Sequence, residues 1–473
     1  MSQVTKGFAW SAIERISTQG ITFLLSIIIA RIVSPEAYGL IVMIQVFLSL
    51  SQVFIDGGFA TALIQKHNRT EEDYHTAFIF NMAVAVFLYV VLFLCSPIIA
   101  AFYEEPQLIS LTRVLGLSLI ISSLSIVQTT RLTISLDFKT QSKASLIGVV
   151  IGGIVGIVLA YTGFEVWALV IQSLVSKMLT TISLYYYSRW HPSLIFSRDS
   201  FRHLLSFGSK LLISNLMMNL CIQLNNLIIG KRFSSASLAF YNRAFTLTMV
   251  PATNASTILT RIIYPLECKL QDSPSELKAA YNKYLHLANS IIVPVMFFLA
   301  CMAEPLIRVM LTDKWLPCVP YFILFCVNFS LFPWQEHSGN ILAVVGRTDV
   351  VLKASIIKRI LSVFIIVIAV FFDVMTICIG MVVGSFLELL ISIIAVKKTI
   401  GYSIRSQIRP QIDVFVVSLV IGLVAYLVMS FIENVYVQLF VGSLICFTLY
   451  LISMFFLKMP ESVYIKDLLK NKG

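Results

Sequence analysis

Fourteen apolar runs of about 18–27 residues dominate the chain. They cover residues 7–30, 38–59, 76–102, 108–130, 144–161, 166–187, 204–229, 240–266, 284–302, 319–345, 354–372, 375–396, 412–432 and 435–457. As a helix, each can cross roughly 30 Å of hydrocarbon with some tilt. None alternates with period two, so helices are predicted rather than barrel strands. Hydrophobic residues make up 58% and charged residues 12%, too few charges to cover a soluble core of that size. The same figures exclude disorder, collagen and a small disulfide scaffold. The fold class is therefore all-α integral membrane protein with about 14 transmembrane helices. The first run carries Glu14 and Arg15 and lacks a cleavage pattern, so a retained helix is expected. Eight cysteines form no C-x-x-C pair, and most lie in apolar runs, where free thiols act as small apolar residues.

The net charge of +11 has a position as well as a sum. Twenty-four of the 35 lysines and arginines fall in alternate connections or in the span turns that adjoin them, and six in or beside the others. Basic connections stay in the cytoplasm, which places both termini there and supports an even helix count. The positive charge then belongs to the inner leaflet and not to a nucleic acid. No connection is long enough for a soluble domain. The stretch 267–283 is expected to lie as a short amphipathic segment on the membrane surface.

An offset of 201 residues aligns 7–40 on 208–241 without gaps and gives six identities, among them Gly7 with Gly208, Arg31 with Arg232 and Ser34 with Ser235. Both stretches open a six-helix set from the same side. The organisation expected is two parallel six-helix lobes plus two C-terminal helices: residues 1–200 (helices 1–6), 201–400 (helices 7–12), and 401–473 (helices 13–14 and a cytoplasmic tail). Paired lobes of this kind place a substrate site near mid-membrane.

Polar residues recur at helical spacing in the first two helices of each lobe. Ser11, Arg15, Thr18, Thr22 and Ser26 share one face of the first, and Gln45, Ser49, Gln52 and Asp56 one face of the second. The seventh carries Asn215, Asn219, Gln223 and Asn226, the eighth Thr246, Thr253, Asn254, Thr257 and Arg261. One stripe can simply bond across packed helices; four at equivalent positions point to a hydrated cavity, lined by Gln45, Gln52, Asn219, Gln223 and Asn254. Five further basic residues, not counted with the connections, lie within spans: Arg15, Arg113, Lys177, Lys210 and Arg261. A charge at a helix centre costs about 2.5–3.5 kcal/mol on insertion scales, so such residues face a bundle interior or water. Arg113, Lys210 and Arg261 are near enough to helix ends to snorkel instead. Surplus cations in a cavity suit an anionic substrate, and arginine suits phosphate. Glu336, Glu388, Asp56 and Glu14 are candidate ion-coupling residues, with His337 beside Glu336; interhelical hydrogen bonds are the competing reading. No catalytic set, metal-ligand spacing, phosphate loop or dinucleotide turn occurs, so neither an enzyme nor a cofactor is expected.

Certain segments carry a family resemblance. Lys6-Gly7-Phe8-Ala9-Trp10-Ser11 and Ala30-Arg31-Ile32-Val33-Ser34-Pro35-Glu36-Ala37-Tyr38-Gly39-Leu40 resemble the start of the bacterial polysaccharide exporters. So do Asp56-Gly57-Gly58-Phe59-Ala60-Thr61-Ala62-Leu63-Ile64-Gln65 and Tyr241-Asn242-Arg243-Ala244. These exporters are the Wzx-type O-antigen and colanic-acid flippases of the multidrug/oligosaccharidyl-lipid/polysaccharide (MOP) superfamily. The resemblance implies a transporter in the bacterial inner membrane. It would flip an undecaprenyl-diphosphate-linked oligosaccharide, a repeat unit of polysaccharide or lipopolysaccharide, by alternating access. It also implies a cationic cavity, carried here by Arg15, Lys177, Lys210 and Arg261, and as partners membrane lipids and the polysaccharide polymerase and export machinery. The rival readings are a peptidoglycan lipid-precursor flippase, a drug or cation antiporter of the same superfamily and, remotely, a membrane glycan polymerase. Two helices beyond twelve and the internal cations count against the antiporter. The polymerase would need a long outer loop with catalytic residues, and the longest outer loop, 303–318, holds no such set.

Overall fold

A computed structural model describes residues 3–456, and the side chains of all of these except residues 3–16 and Lys210. Every described element is helical. The chain divides into two compact units, residues 1–239 and 240–473.

The first unit holds α1 (Gln3–Ile32), α2 (Pro35–Asp56), the short α3 (Phe59–Gln65), α4 (Glu71–Tyr103), α5 (Leu108–Ile134), α6 (Phe138–Tyr161), α7 (Val166–Ser188) and α8 (Arg198–Arg232). Helix α9 (Ser235–Cys268) carries the chain into the second unit. That unit continues with α10 (Pro274–Cys301), α11 (Ala303–Leu311), a 3-10 turn (Asp313–Cys318), α12 (Val319–Ser330), α13 (Phe332–Val344), α14 (Thr348–Ala369), α15 (Val374–Ile400), α16 (Ile404–Met429) and α17 (Val435–Phe456).

All fourteen expected spans fall on these helices, the second on α2 and the start of α3, the tenth on α12 and α13. Eleven meet the length and hydropathy of a membrane span outright. Of the other three, α1 is apolar over its described part, Ser17–Ile32, and α9 and α14 are interrupted by charged residues such as Arg243, Arg261, Lys358 and Arg359. The surface is inside-out relative to a soluble protein. On α4, Phe87, Leu94 and Ile98 are 65%, 69% and 68% exposed, while Asp73, Asn81 and Ser96 are fully buried. Such a surface is satisfied by lipid.

The expected surface segment at 267–283 is absent. Helix α9 runs on to Cys268, and α10 begins at Pro274, leaving a five-residue turn, 269–273. Pro274 sits where a helix has no need of its N–H. Glu267, which read as part of an exposed connection, is fully buried.

Local sequence explains the helix boundaries near the first unit's cavity. The Ser34 hydroxyl accepts the Ala37 N–H, Pro35 opens α2, and Glu36 lies in its first turn. Helix α2 stops at Gly57, which takes a φ of 50° that a side chain would resist. Gly58 and Gly208 then meet backbone to backbone: a Cβ on Gly58 would lie 2.7 Å from the Gly208 carbonyl oxygen. Helices α6 and α7 meet along a ridge of Gly148, Gly152 and Gly156, spaced by four. A Cβ on Gly152 would lie 2.7 Å from Ser176 Cβ. Small residues at this spacing allow close van der Waals packing where lipid supplies no hydrophobic drive. The glycines of the fifth span thereby fix α7, the helix that carries Lys177.

Candidate functional site

The first unit contains a cavity of about 370 Å³ among α2, α5, α7 and α8. Its polar wall gathers Gln45, Ser49, Gln52 and Asp56 from α2, Lys177 and Ser173 from α7, and Asn219 from α8. The expected stripe on α2 does face one space. Gln52 Nε2 donates to Asp56 Oδ1 at 2.9 Å, and the Ser49 hydroxyl donates to Asn219 Oδ1 at 3.3 Å. The amide orients the carboxylate, and the hydroxyl ties α2 to α8. The half-buried Lys177 shares the wall with Asp56, yet no hydrogen-bond partner for its ammonium occurs among the described residues. A lysine held on a rigid helix beside one carboxylate and several amides can bind an anion as a point charge. The amides and hydroxyls can pair with sugar hydroxyls or phosphate oxygens.

The other sequence-predicted residues lie elsewhere. Gln223 accepts from Asn226 Nδ2 at 3.0 Å along α8 and is not part of the cavity wall. Arg113 donates from Nε to the Ser96 hydroxyl at 3.0 Å and lies 4.3 Å over the Phe93 ring, so its charge is engaged by α4. Arg261 and Asn254 are on α9 in the second unit, Arg261 exposed and Asn254 half-buried. Arg15 and Glu14 on α1 and Lys210 on α8 lie outside the described side chains.

In the second unit Glu336 and His337, adjacent in sequence, point to different partners. Glu336 Oε1 accepts from the Thr260 hydroxyl at 3.5 Å. His337 Nε2 lies 3.2 Å from Glu267 Oε1, and its ring stacks on Tyr281 at 5.0 Å. The Tyr281 hydroxyl continues the network to Ser338 at 3.0 Å. Glu388 sits one turn from Ser392, whose hydroxyl accepts from Lys358 Nζ at 2.7 Å.

Among the pairings sequence reasoning missed are two with a fully buried acid: the contact of Glu267 with His337, and the ion pair of Asp73 with Lys66 at 2.7 Å. The second had a readable signal. Thr70 followed by Asp73 has the spacing of a capping box, and Asp73 Oδ2 accepts the Thr70 N–H at 2.9 Å. The first had none, because its members are 70 residues apart.

A family model described as polysaccharide biosynthesis protein matches residues 28–320, well over half of the chain. The chain belongs to this family. It is 26% identical over 307 residues to the teichuronic acid biosynthesis protein TuaB of Bacillus subtilis, covering 63% of this chain and 62% of TuaB. It is 25% identical over 427 residues to the lipopolysaccharide biosynthesis protein WzxC of Escherichia coli, covering 89% of this chain and 86% of that protein. Among solved structures, the lipid II flippase MurJ in an inward closed conformation superposes with a TM-score of 0.77 at 15% identity, over 97% of this chain and 99% of MurJ. An inward-facing multidrug resistance MATE transporter of the MOP superfamily gives 0.61 at 17% identity, over 82% and 98%. These likenesses establish the fold: an all-α, multi-pass membrane protein.

Proposed function

We propose that this family member is a transporter and not an enzyme, and that it flips a lipid-linked oligosaccharide across the bacterial inner membrane by alternating access. The observation that carries this reading is the Lys177 ammonium, unpaired by hydrogen bonds among the described residues, on the wall of a polar cavity inside a membrane-spanning unit. The cavity has the volume of pockets that hold small polar ligands. A diphosphate supplies the anion that Lys177 lacks, and the neighbouring amides suit the first sugar. Asp56 supplies the counter-charge while the cavity is empty. The names of TuaB and WzxC, both of polysaccharide assembly, favour a glycan substrate.

The test is complementation of a strain lacking the gene. Lys177→Ala should lose surface polysaccharide and accumulate the lipid-linked precursor on the cytoplasmic face, with normal amounts of protein in the membrane. Lys177→Arg should retain most of the function. Wild-type surface polysaccharide in the alanine variant would overturn the assignment. The identity of the accumulated lipid separates this reading from a peptidoglycan-precursor flippase.

The basic connections are proposed to face the cytoplasm, and both termini with them. Labelling of a Lys470→Cys variant, on a background free of the eight native cysteines, by a membrane-impermeant thiol reagent in intact spheroplasts would contradict this.

A further inference from the structure

The loop between α7 and α8 is fixed at its root and bare at its tip. The Trp190 indole N–H donates to Glu71 Oε2 at 2.9 Å, and its ring stacks on His75 at 5.2 Å. The Ser193 N–H donates to His75 Nδ1 at 3.0 Å, and the Ser197 N–H to the Thr76 hydroxyl at 3.0 Å. The loop backbone is thus held by the first two turns of α4. Between those fixings Leu194, Ile195 and Phe196 point outward, 97%, 47% and 49% exposed. Phe196 alone turns back to another ring, its centroid 5.6 Å from that of Phe201, and Leu194 is left almost wholly uncovered.

Two further features identify what covers them. Arg189, Arg198 and Arg202 flank the tip and are all exposed, against one exposed acid in the same stretch, Asp199; of the two exposed acids at the clamp, Glu71 is already paired with Arg131 at 2.8 Å, which leaves Glu72. Tyr186 and Tyr187 close α7 just before the loop and are 76% and 39% exposed. Tyrosines at a span's end mark the headgroup level of a bilayer. An apolar tip flanked by arginines, one step beyond that level, matches the chemistry of an anionic lipid surface. Apolar side chains enter the boundary with the acyl chains, and guanidinium groups hold lipid phosphates. Three apolar and three basic side chains are too small a patch for a stable protein interface, which buries above about 1,000 Å². The clamp also lowers the ordering cost of binding, because the loop is already set.

We propose that residues 189–202 form an anionic-lipid-binding element, with the tip at 194–196 inserted at the membrane interface and Arg189, Arg198 and Arg202 on lipid phosphates. It does not depend on which substrate the protein carries.

The test places an environment-sensitive fluorophore at the tip of the full-length protein in lipid nanodiscs. Leu194→Cys is labelled with the half-buried Cys95, Cys221, Cys268 and Cys301 changed to serine and the four buried cysteines kept. Ile195→Cys serves as a second site should the first variant fold poorly. Nanodiscs of phosphatidylcholine and phosphatidylglycerol carry bromine on the acyl chains of one lipid or the other. Quenching should be stronger when the bromine is on phosphatidylglycerol. Each arginine changed to alanine should reduce that preference by about fivefold. Equal quenching by both lipids would overturn the anionic selection. Absence of quenching by either would place the tip in water and overturn the proposal, leaving the patch to a protein partner.

Discussion

The glycine ridge of α6 makes a test in which one chemical change has opposite signs at two places. An alanine at position 152 brings its Cβ to 2.7 Å from Ser176 Cβ and 2.9 Å from Ser176 Cα and N. Carbon atoms rest at about 3.5–4.0 Å, so α7 must retreat by about 1 Å. The obstacle is backbone, and no side-chain rotation relieves it. Overpacking of this kind costs about 1–3 kcal/mol, and the intrinsic helix preference of alanine over glycine returns about 0.8–1.0. With the 2.7 Å approach calling for the upper half of that cost, about 2–3 kcal/mol, the net for Gly152→Ala is a loss of about 1–2 kcal/mol. Gly148→Ala should cost more, because its Cβ would meet the Thr180 hydroxyl and lie 2.5 Å from the Ser176 carbonyl oxygen. Gly20 in α1 is also helical, but nothing lies within 4 Å of its Cβ position. There the preference acts alone, and Gly20→Ala should gain about 0.5–1 kcal/mol. Equilibrium unfolding in mixed micelles, followed by circular dichroism, reads all three. If Gly152→Ala is neutral or stabilising, as Gly20→Ala is expected to be, the close approach of α6 and α7 does not hold Lys177 in place.

Two other outcomes follow from the ion pairs and caps. Lys66 is 23% exposed and Asp73 fully buried, so Lys66→Ala strands a buried carboxylate and should cost about 3–5 kcal/mol. Asp73→Ala lets the lysine escape to water and should cost less; the reverse order in unfolding midpoints would refute the burial argument. Asp373 caps α15 by accepting the Thr376 N–H at 2.7 Å. The hydroxyl and N–H of Thr376 hold its carboxyl below the usual range. Its contribution should be complete above about pH 4 and fade as pH falls through the lowered value. Asp373→Ala should cost about 1 kcal/mol at neutral pH. Asp373→Asn should keep most of the cap and lose the acid dependence in a pH series of unfolding midpoints.

The spans and the α2 stripe were legible because both are periodic within one helix. Gln45, Gln52 and Asp56 repeat at helical spacing, and their common cavity followed. Lys177 was legible as an intramembrane cation, but its convergence with α2 depends on how tightly α7 packs on α6. That distance is set by glycines, whose meaning lies in what they lack. Arg113 misled for the same reason: its spacing gave no hint that Ser96 and Phe93 of α4 would engage its charge. Glu267 sits beside Lys269, Asp272 and Glu276, a composition that reads as an exposed connection. Only the partner His337, far along the chain, makes it an interior residue. Contacts between distant segments leave no periodic trace.

The tenth span is divided at Leu331 into α12 and α13, with Pro333 at the start of the second half. A continuous helix transmits an axial push as a stiff rod; a divided one transmits it only through whatever braces the joint. Here the brace is α15. The Ser385 hydroxyl donates to Asn328 Oδ1 at 2.6 Å, and Gln335 Nε2 donates to the Ser385 carbonyl at 2.8 Å. One residue of α15 thus holds both sides of the joint. Mechanically the tenth span is two levers on a splint, and a displacement of α15 carries the fulcrum with it while leaving the inclination of each lever free.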